Sequence, residues 1–206
     1  MYTDEKRTYR RVVGGIAWPG DFPGFTVVIG EESYPAVGSK DYHLYVLAEA
    51  EEMDVHQLFR RCADLSVKYS VKYDVFPFYG RRDQAMMSLL NLWHRDARDN
   101  RRDVFDFDSA LNSDNGNISY HINVVKELLL PERKILHLSD VIEKPKLPAH
   151  IQSLPPNVGS IPTDIEYPAV AALGYAVTFL KSFRYDDYEE DEEERSTDTV
   201  DPITGY

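Results

Sequence analysis

Hydrophobic and polar positions along this chain repeat with two different periods. Apolar stretches at Arg11 to Ile16, Phe25 to Ile29 and Tyr42 to Ala48 predict three strands. A turn rich in Pro19, Gly20, Pro23 and Gly24 joins the first two, and a polar loop with Pro35 and Gly38 joins the next. Connections of this kind predict an antiparallel meander. From Asp54 the period lengthens. Val55, Leu58, Phe59, Cys62 and Leu65 recur at helical spacing, and Asp54 with Gln57 has the form of a capping box. Val75 to Phe78 reads as a buried strand. Arg81 to Arg95 reads as a helix with Met86, Leu89, Leu90 and Trp93 on one face. Val104 to Asp108 predicts a strand, Ser119 to Leu130 a helix, and Lys134 to Leu138 a short strand. Six of the twelve prolines fall between Pro145 and Pro168, which predicts an extended connector. A last helix runs from Pro168 to Phe183, with proline suited to its first turn. Its small residues, Ala169, Ala171, Ala172 and Gly174, suit close packing on a sheet.

This order of elements predicts an α/β domain. Its sheet is mixed, a three-strand antiparallel meander plus parallel strands, with helices on both faces. The domain is expected over 11–184, after a flexible arm at 1–10 and before an acidic disordered tail at 185–206. No apolar run reaches the ~20 residues needed to cross a bilayer, and residues 1–7 lack a secretory apolar stretch. Cys62 is the single cysteine, so no internal disulfide forms. A reducing, cytoplasmic location is expected, with no membrane partner. Cys62 itself reads as a buried, inert thiol.

Charge changes the picture. The net charge is -12, yet from Tyr185 onward ten acids stand against Arg195 alone. That tail therefore carries -9 and the remaining body only -3. A near-neutral body supplies no broad basic footprint for nucleic acid. The tail reads either as a solubilising segment or as a mimic of nucleic-acid charge that docks on a basic partner.

Three segments carry a resemblance. The first is Val13-Gly14-Gly15-Ile16-Ala17-Trp18 with Pro23-Gly24-Phe25-Thr26-Val27-Val28-Ile29-Gly30. The second is Ile118 to Leu138, through Asn123, Val125, Leu128 and Leu129. The third is Leu147-Pro148-Ala149-His150-Ile151 leading to Glu166-Tyr167-Pro168-Ala169-Val170-Ala171-Ala172-Leu173-Gly174-Tyr175-Ala176. In this order they resemble the ribonuclease H-like nuclease domain of tailed-phage terminase large subunits, over roughly residues 10–183. The resemblance implies a ribonuclease H-like fold, with strand 75–78 parallel to the first strand and beside it. It also implies a phage or prophage protein of DNA packaging or processing, with DNA, a terminase ATPase subunit or a portal as partners. No G-x-x-x-x-G-K-[ST] phosphate loop occurs, so an ATPase motor is absent from this chain.

Such nucleases cut phosphodiesters with two metal ions about 4 Å apart, Mg²⁺ or Mn²⁺, held by carboxylates. The resemblance places those carboxylates on the first strand, the fourth strand and the start of the last helix. Here the first strand reads Gly15-Ile16-Ala17, with alanine in the aspartate's place. The fourth, Val75-Phe76-Pro77-Phe78-Tyr79, has no acid in mid-strand, only Asp74 before it and Asp83 beyond. Asp164 and Glu166 remain beside the last helix. The expected site is therefore Glu166 and Asp164 as catalytic residues, with Asp74 joining them as metal ligands, and the site is degenerate.

Three readings stand open. One is a terminase-nuclease-like protein that has lost cleavage. Another is an active divalent-metal-dependent endonuclease with displaced carboxylates. Asp21, Glu31, Asp106 and Asp108 lie near strand ends, and Asp106 with Asp108 share a face at chelating spacing. Solvated surface acids are the plainer account of all four. The last is a non-catalytic structural or regulatory module acting through its acidic tail. The six histidines (43, 56, 94, 121, 137 and 150) show no metal-ligand spacing. The pairs Arg60-Arg61, Arg81-Arg82 and Arg101-Arg102 read as solvated helix ends, with phosphate contact as the alternative.

Overall fold

Three long strands set the frame: β2 (Thr8–Ala17), β3 (Gly24–Glu32) and β4 (Leu44–Glu52). They pair antiparallel in the expected meander. A computed structural model describes residues 2–4, 6–33, 43–70, 76–110, 118–131, 135–138, 146–154 and 163–181. Within them the chain continues as α1 (Val55–Tyr69), β5 (Pro77–Gly80), α2 (Gln84–Asp99), β6 (Asp106–Ser109), α3 (Ser119–Leu129), β7 (Leu136–His137) and α4 (Leu147–Gln152). A last helix, α5, covers 168–181. The strands lie in the order β6-β5-β2-β3-β4-β7, and β5, β6 and β7 pair parallel to their neighbours. The sheet is therefore mixed, as expected, with β2 at its centre.

Residues 2–3 and 8–10, expected in an arm, lie in strands. β1 (Tyr2–Thr3) pairs antiparallel with the start of β2. Tyr9 explains why: its ring is fully buried, stacks on Tyr2 and meets Tyr45 edge-on, and its hydroxyl donates to Asp4 at 2.8 Å. An aromatic anchored this way draws its segment onto the sheet. The expected tail at 185–206 lies outside the described residues.

Period-two alternation along the strands feeds two cores. Val13, Ala17, Phe25, Val27 and Ile29 belong to the core that includes α3 and α5. Ile16, Trp18, Val28 and Phe78 belong to the core with α1 and α2. Helices thus cover both faces. Each of Val170, Leu173, Val177 and Leu180 on α5 is buried, contributing about 1.5–3 kcal/mol apiece.

Caps decide the helix boundaries. Asp54 caps α1 by accepting from the Gln57 N–H at 2.8 Å. α2 begins at Gln84 rather than Arg81, because Asp83 Oδ1 accepts from the N–H groups of Ala85 and Met86. The connector expected to be extended contains α4. There the Glu49 carboxylate accepts from the Lys146 and Leu147 N–H groups, and Pro148 sits in the first turn.

Candidate functional site

Backbone register places the ends of β2 and β5 side by side at one end of the sheet. β2 and β5 run parallel with Ile16 opposite Gly80, so Ala17-Trp18 and Arg81 leave the sheet side by side. The indole Nε1 of Trp18 donates to the Arg81 carbonyl at 2.7 Å and pins the two ends. α5 lies on the same face as Ala17. Glycine permits this approach: a Cβ on Gly15 would sit 1.8 Å from the Ala172 carbonyl oxygen. Ala17 is 1% exposed and carries no oxygen.

Asp164 and Glu166 stand just before α5, as expected, and each is engaged. Asp164 is 3% exposed. Its Oδ2 accepts from Arg81 Nε at 2.6 Å, and the Tyr175 hydroxyl donates to the same oxygen at 3.4 Å. Burial pushes the Tyr175 hydroxyl well above the ordinary phenol range, and the Asp164 charge adds to that shift. Glu166 is exposed and turned toward Thr163. Its Oε2 accepts from the Thr163 N–H and Oγ1, both at 3.2 Å, and its own N–H donates to Thr163 Oγ1 at 3.4 Å. That reciprocal arrangement is a capping box on the turn entering α5. Asp74 lies outside the described residues.

Arg81 is not the solvated helix end that the sequence predicts. Instead its half-buried guanidinium bridges Asp164 and, at 3.7 Å from Nη2, Asp83 Oδ2. No local pattern links residues 81 and 164; they meet because β5 pairs with β2 and α5 packs on β2. The Thr163-x-x-Glu166 capping signature, by contrast, is a local signal present in the sequence. Arg61 and Arg102 pair with Glu52 and Asp96 on the surface.

The other candidate acids do not join this site. Asp106 and Asp108 lie exposed on edge strand β6, and Asp108 Oδ1 accepts from the Ser109 N–H. Asp21 is exposed in the β2–β3 turn. Glu31 is not a solvated acid: it is fully buried and pairs with Arg10 at 3.1 Å. His43 and His137 do meet, Nδ1 to Nε2 at 2.9 Å, across the parallel β4–β7 edge. Among the described residues, no three His, Cys, Asp or Glu side chains come together in a metal-holding group.

These residues do not fit a two-metal centre. A bridging ligand needs an oxygen where Ala17 has a methyl group. Asp164 already balances a guanidinium, and the Glu166 oxygen caps a turn. Compared with family models, curated proteins and solved structures, the chain matches none. What the fold and site define is an α/β domain with a mixed sheet and a salt-bridged polar cluster at the end of its central strand. Among the described residues no helix is long and apolar enough to cross a membrane.

Proposed function

We propose that this chain is a ribonuclease H-like module of the terminase-nuclease kind, serving DNA packaging or processing by binding rather than cutting. The strand order supports the fold reading. A meander of β2, β3 and β4 is extended from β2 by parallel β5 and β6, with α5 laid on the central strand. A first strand at the sheet edge, or a last helix off the sheet, would have counted against it.

One observation carries the loss of cleavage: Ala17 puts a buried methyl at the end of the central strand where a carboxylate is needed, and Asp164 is already paired with Arg81. Divalent ions at such a centre need several carboxylate oxygens to balance their charge. DNA, a terminase ATPase subunit or a portal are the partners this reading implies. Its test is direct. Micromolar protein with Mg²⁺ or Mn²⁺ leaves supercoiled plasmid intact. Cleavage that disappears in Glu166→Ala would instead establish an active nuclease with displaced ligands.

The charge distribution favours a second reading. With -9 of the -12 on the last 22 residues, a regulatory module acting on a basic protein through its tail fits the same site. Duplex binding by a tail-deleted form separates the two.

A further inference from the structure

The structure assigns a cation site to the cluster at the end of β5, and its occupant is the protein's own Arg81 guanidinium. Two carboxylates from separate segments face that one group. Asp164 Oδ2 lies 2.6 Å from Nε, and Asp83 Oδ2 lies 3.7 Å from Nη2. Neither is loosely held. Asp83 is fixed because its other oxygen caps α2 through Ala85 and Met86. Asp164 is almost fully buried, and the Tyr175 hydroxyl sits against its Oδ2. A carboxylate so withdrawn from water requires a counter-charge. The Arg81 backbone is itself anchored through Trp18.

The site is thus built around a cation before any free ion arrives. A tethered guanidinium competes with dissolved ions at high effective concentration, because its translational cost was met on folding. A planar fork also suits two carboxylates better than a lone ammonium does. Without it, two fixed carboxylates and a phenol oxygen would surround a vacated space. Those are hard oxygen donors of the kind that take Mn²⁺ or Mg²⁺. The native protein holds this corner together without metal, and Arg81→Ala turns it into a divalent-ion site. The inference does not depend on whether the partner is DNA or protein.

Thermal unfolding and Mn²⁺ binding of the full chain test it, using wild type, R81A and the double variant R81A/D164N. Any Mn²⁺ taken up by the acidic tail is common to all three, so the comparison between variants isolates the site. In EDTA, R81A melts below wild type and R81A/D164N recovers part of the loss. Millimolar MnCl₂ restores R81A but not the double variant, and R81A binds Mn²⁺ about tenfold or more tightly than R81A/D164N. Should R81A not fold in EDTA, refolding with Mn²⁺ rescues it, and the double variant folds without metal. The proposal is overturned if R81A is as stable as wild type in EDTA. Equal Mn²⁺ responses in the two variants, or failure of both to fold with and without Mn²⁺, overturn it as well.

Discussion

A single buried thiol sets the clearest pH response at the scale of one residue. Cys62 lies fully buried on the inner face of α1, its Sγ donating to Thr26 Oγ1 at 3.5 Å, and the Thr26 hydroxyl in turn donates to the Gly15 carbonyl. Burial pushes the thiol up to about 12 from its ordinary 9.0, against the smaller opposing effect of Thr26. The neutral form is therefore favoured in the folded state. The stabilisation is complete below pH 9 and is lost as pH rises from 9 toward 12, at about 1.4 kcal/mol per pH unit. Burial raises Tyr9, Tyr79 and Tyr175 too, which adds to the alkaline loss. Urea unfolding at pH 8.5 and 10.5 should show a smaller drop for Cys62→Ala than for wild type; equal drops would mean the thiol is not protected. Residue identity made this inert thiol legible in the sequence, and likewise the acids at 164 and 166. Their engagements were not legible. Asp164 finds Arg81 because α5 docks on β2 beside β5, a relation that no local spacing encodes.

Between elements, the tightest contact is α5 on β2, and it depends on the absence of one side chain. A Cβ on Gly15 would lie 1.8 Å from the Ala172 oxygen and 2.7 Å from its carbonyl carbon. Both are helix backbone, which cannot swing aside as a flexible side chain could. Gly15→Val should therefore cost about 3 kcal/mol or more, at the upper end of overpacking. Gly20→Ala is the control: its Cβ would meet only Ile165 Cγ2 at an ordinary 3.8 Å, so its effect should stay within about 1 kcal/mol. Urea midpoints of the two variants decide it, and equal costs would sink the packing argument. The long elements were readable because burial on one or both faces imposes a period that persists over many residues. β2, β3, β4, α1, α2 and α3 all show it. The short ones were not. α4 has six residues, too few for a helical period, and is held by Glu49 from a strand nearly a hundred positions away. β1 has two residues, and its place is set by the tyrosines at 2 and 9 rather than by any alternation of its own.

For the whole molecule, the decisive quantity is where charge resides. The last 22 residues carry -9 and the rest of the chain -3, so most of the repulsion toward a polyanion resides in the tail. Several arginines among the described residues have acidic partners (Arg10 with Glu31, Arg61 with Glu52, Arg81 with Asp164), which limits their attraction to phosphate even before the tail is counted. Removing the tail should tilt that balance. Truncation after Arg184 takes away nine net negative charges and a segment too polar to add to a core, so the melting temperature should not change. Affinity for a labelled duplex should rise at low salt, since repulsion between tail and phosphates is gone. The gain should fade near 0.15 M salt, where screening shortens the reach of charge to about 8 Å. Any binding by the truncated form should itself weaken with salt, because counterion release drives it. Anisotropy titrations of both forms at two salt concentrations measure all of this. Equal affinities at low salt would show that the tail does not govern access to DNA. If neither form binds there, the body has no DNA-binding surface, and the reading of a regulatory module with a protein partner takes first place.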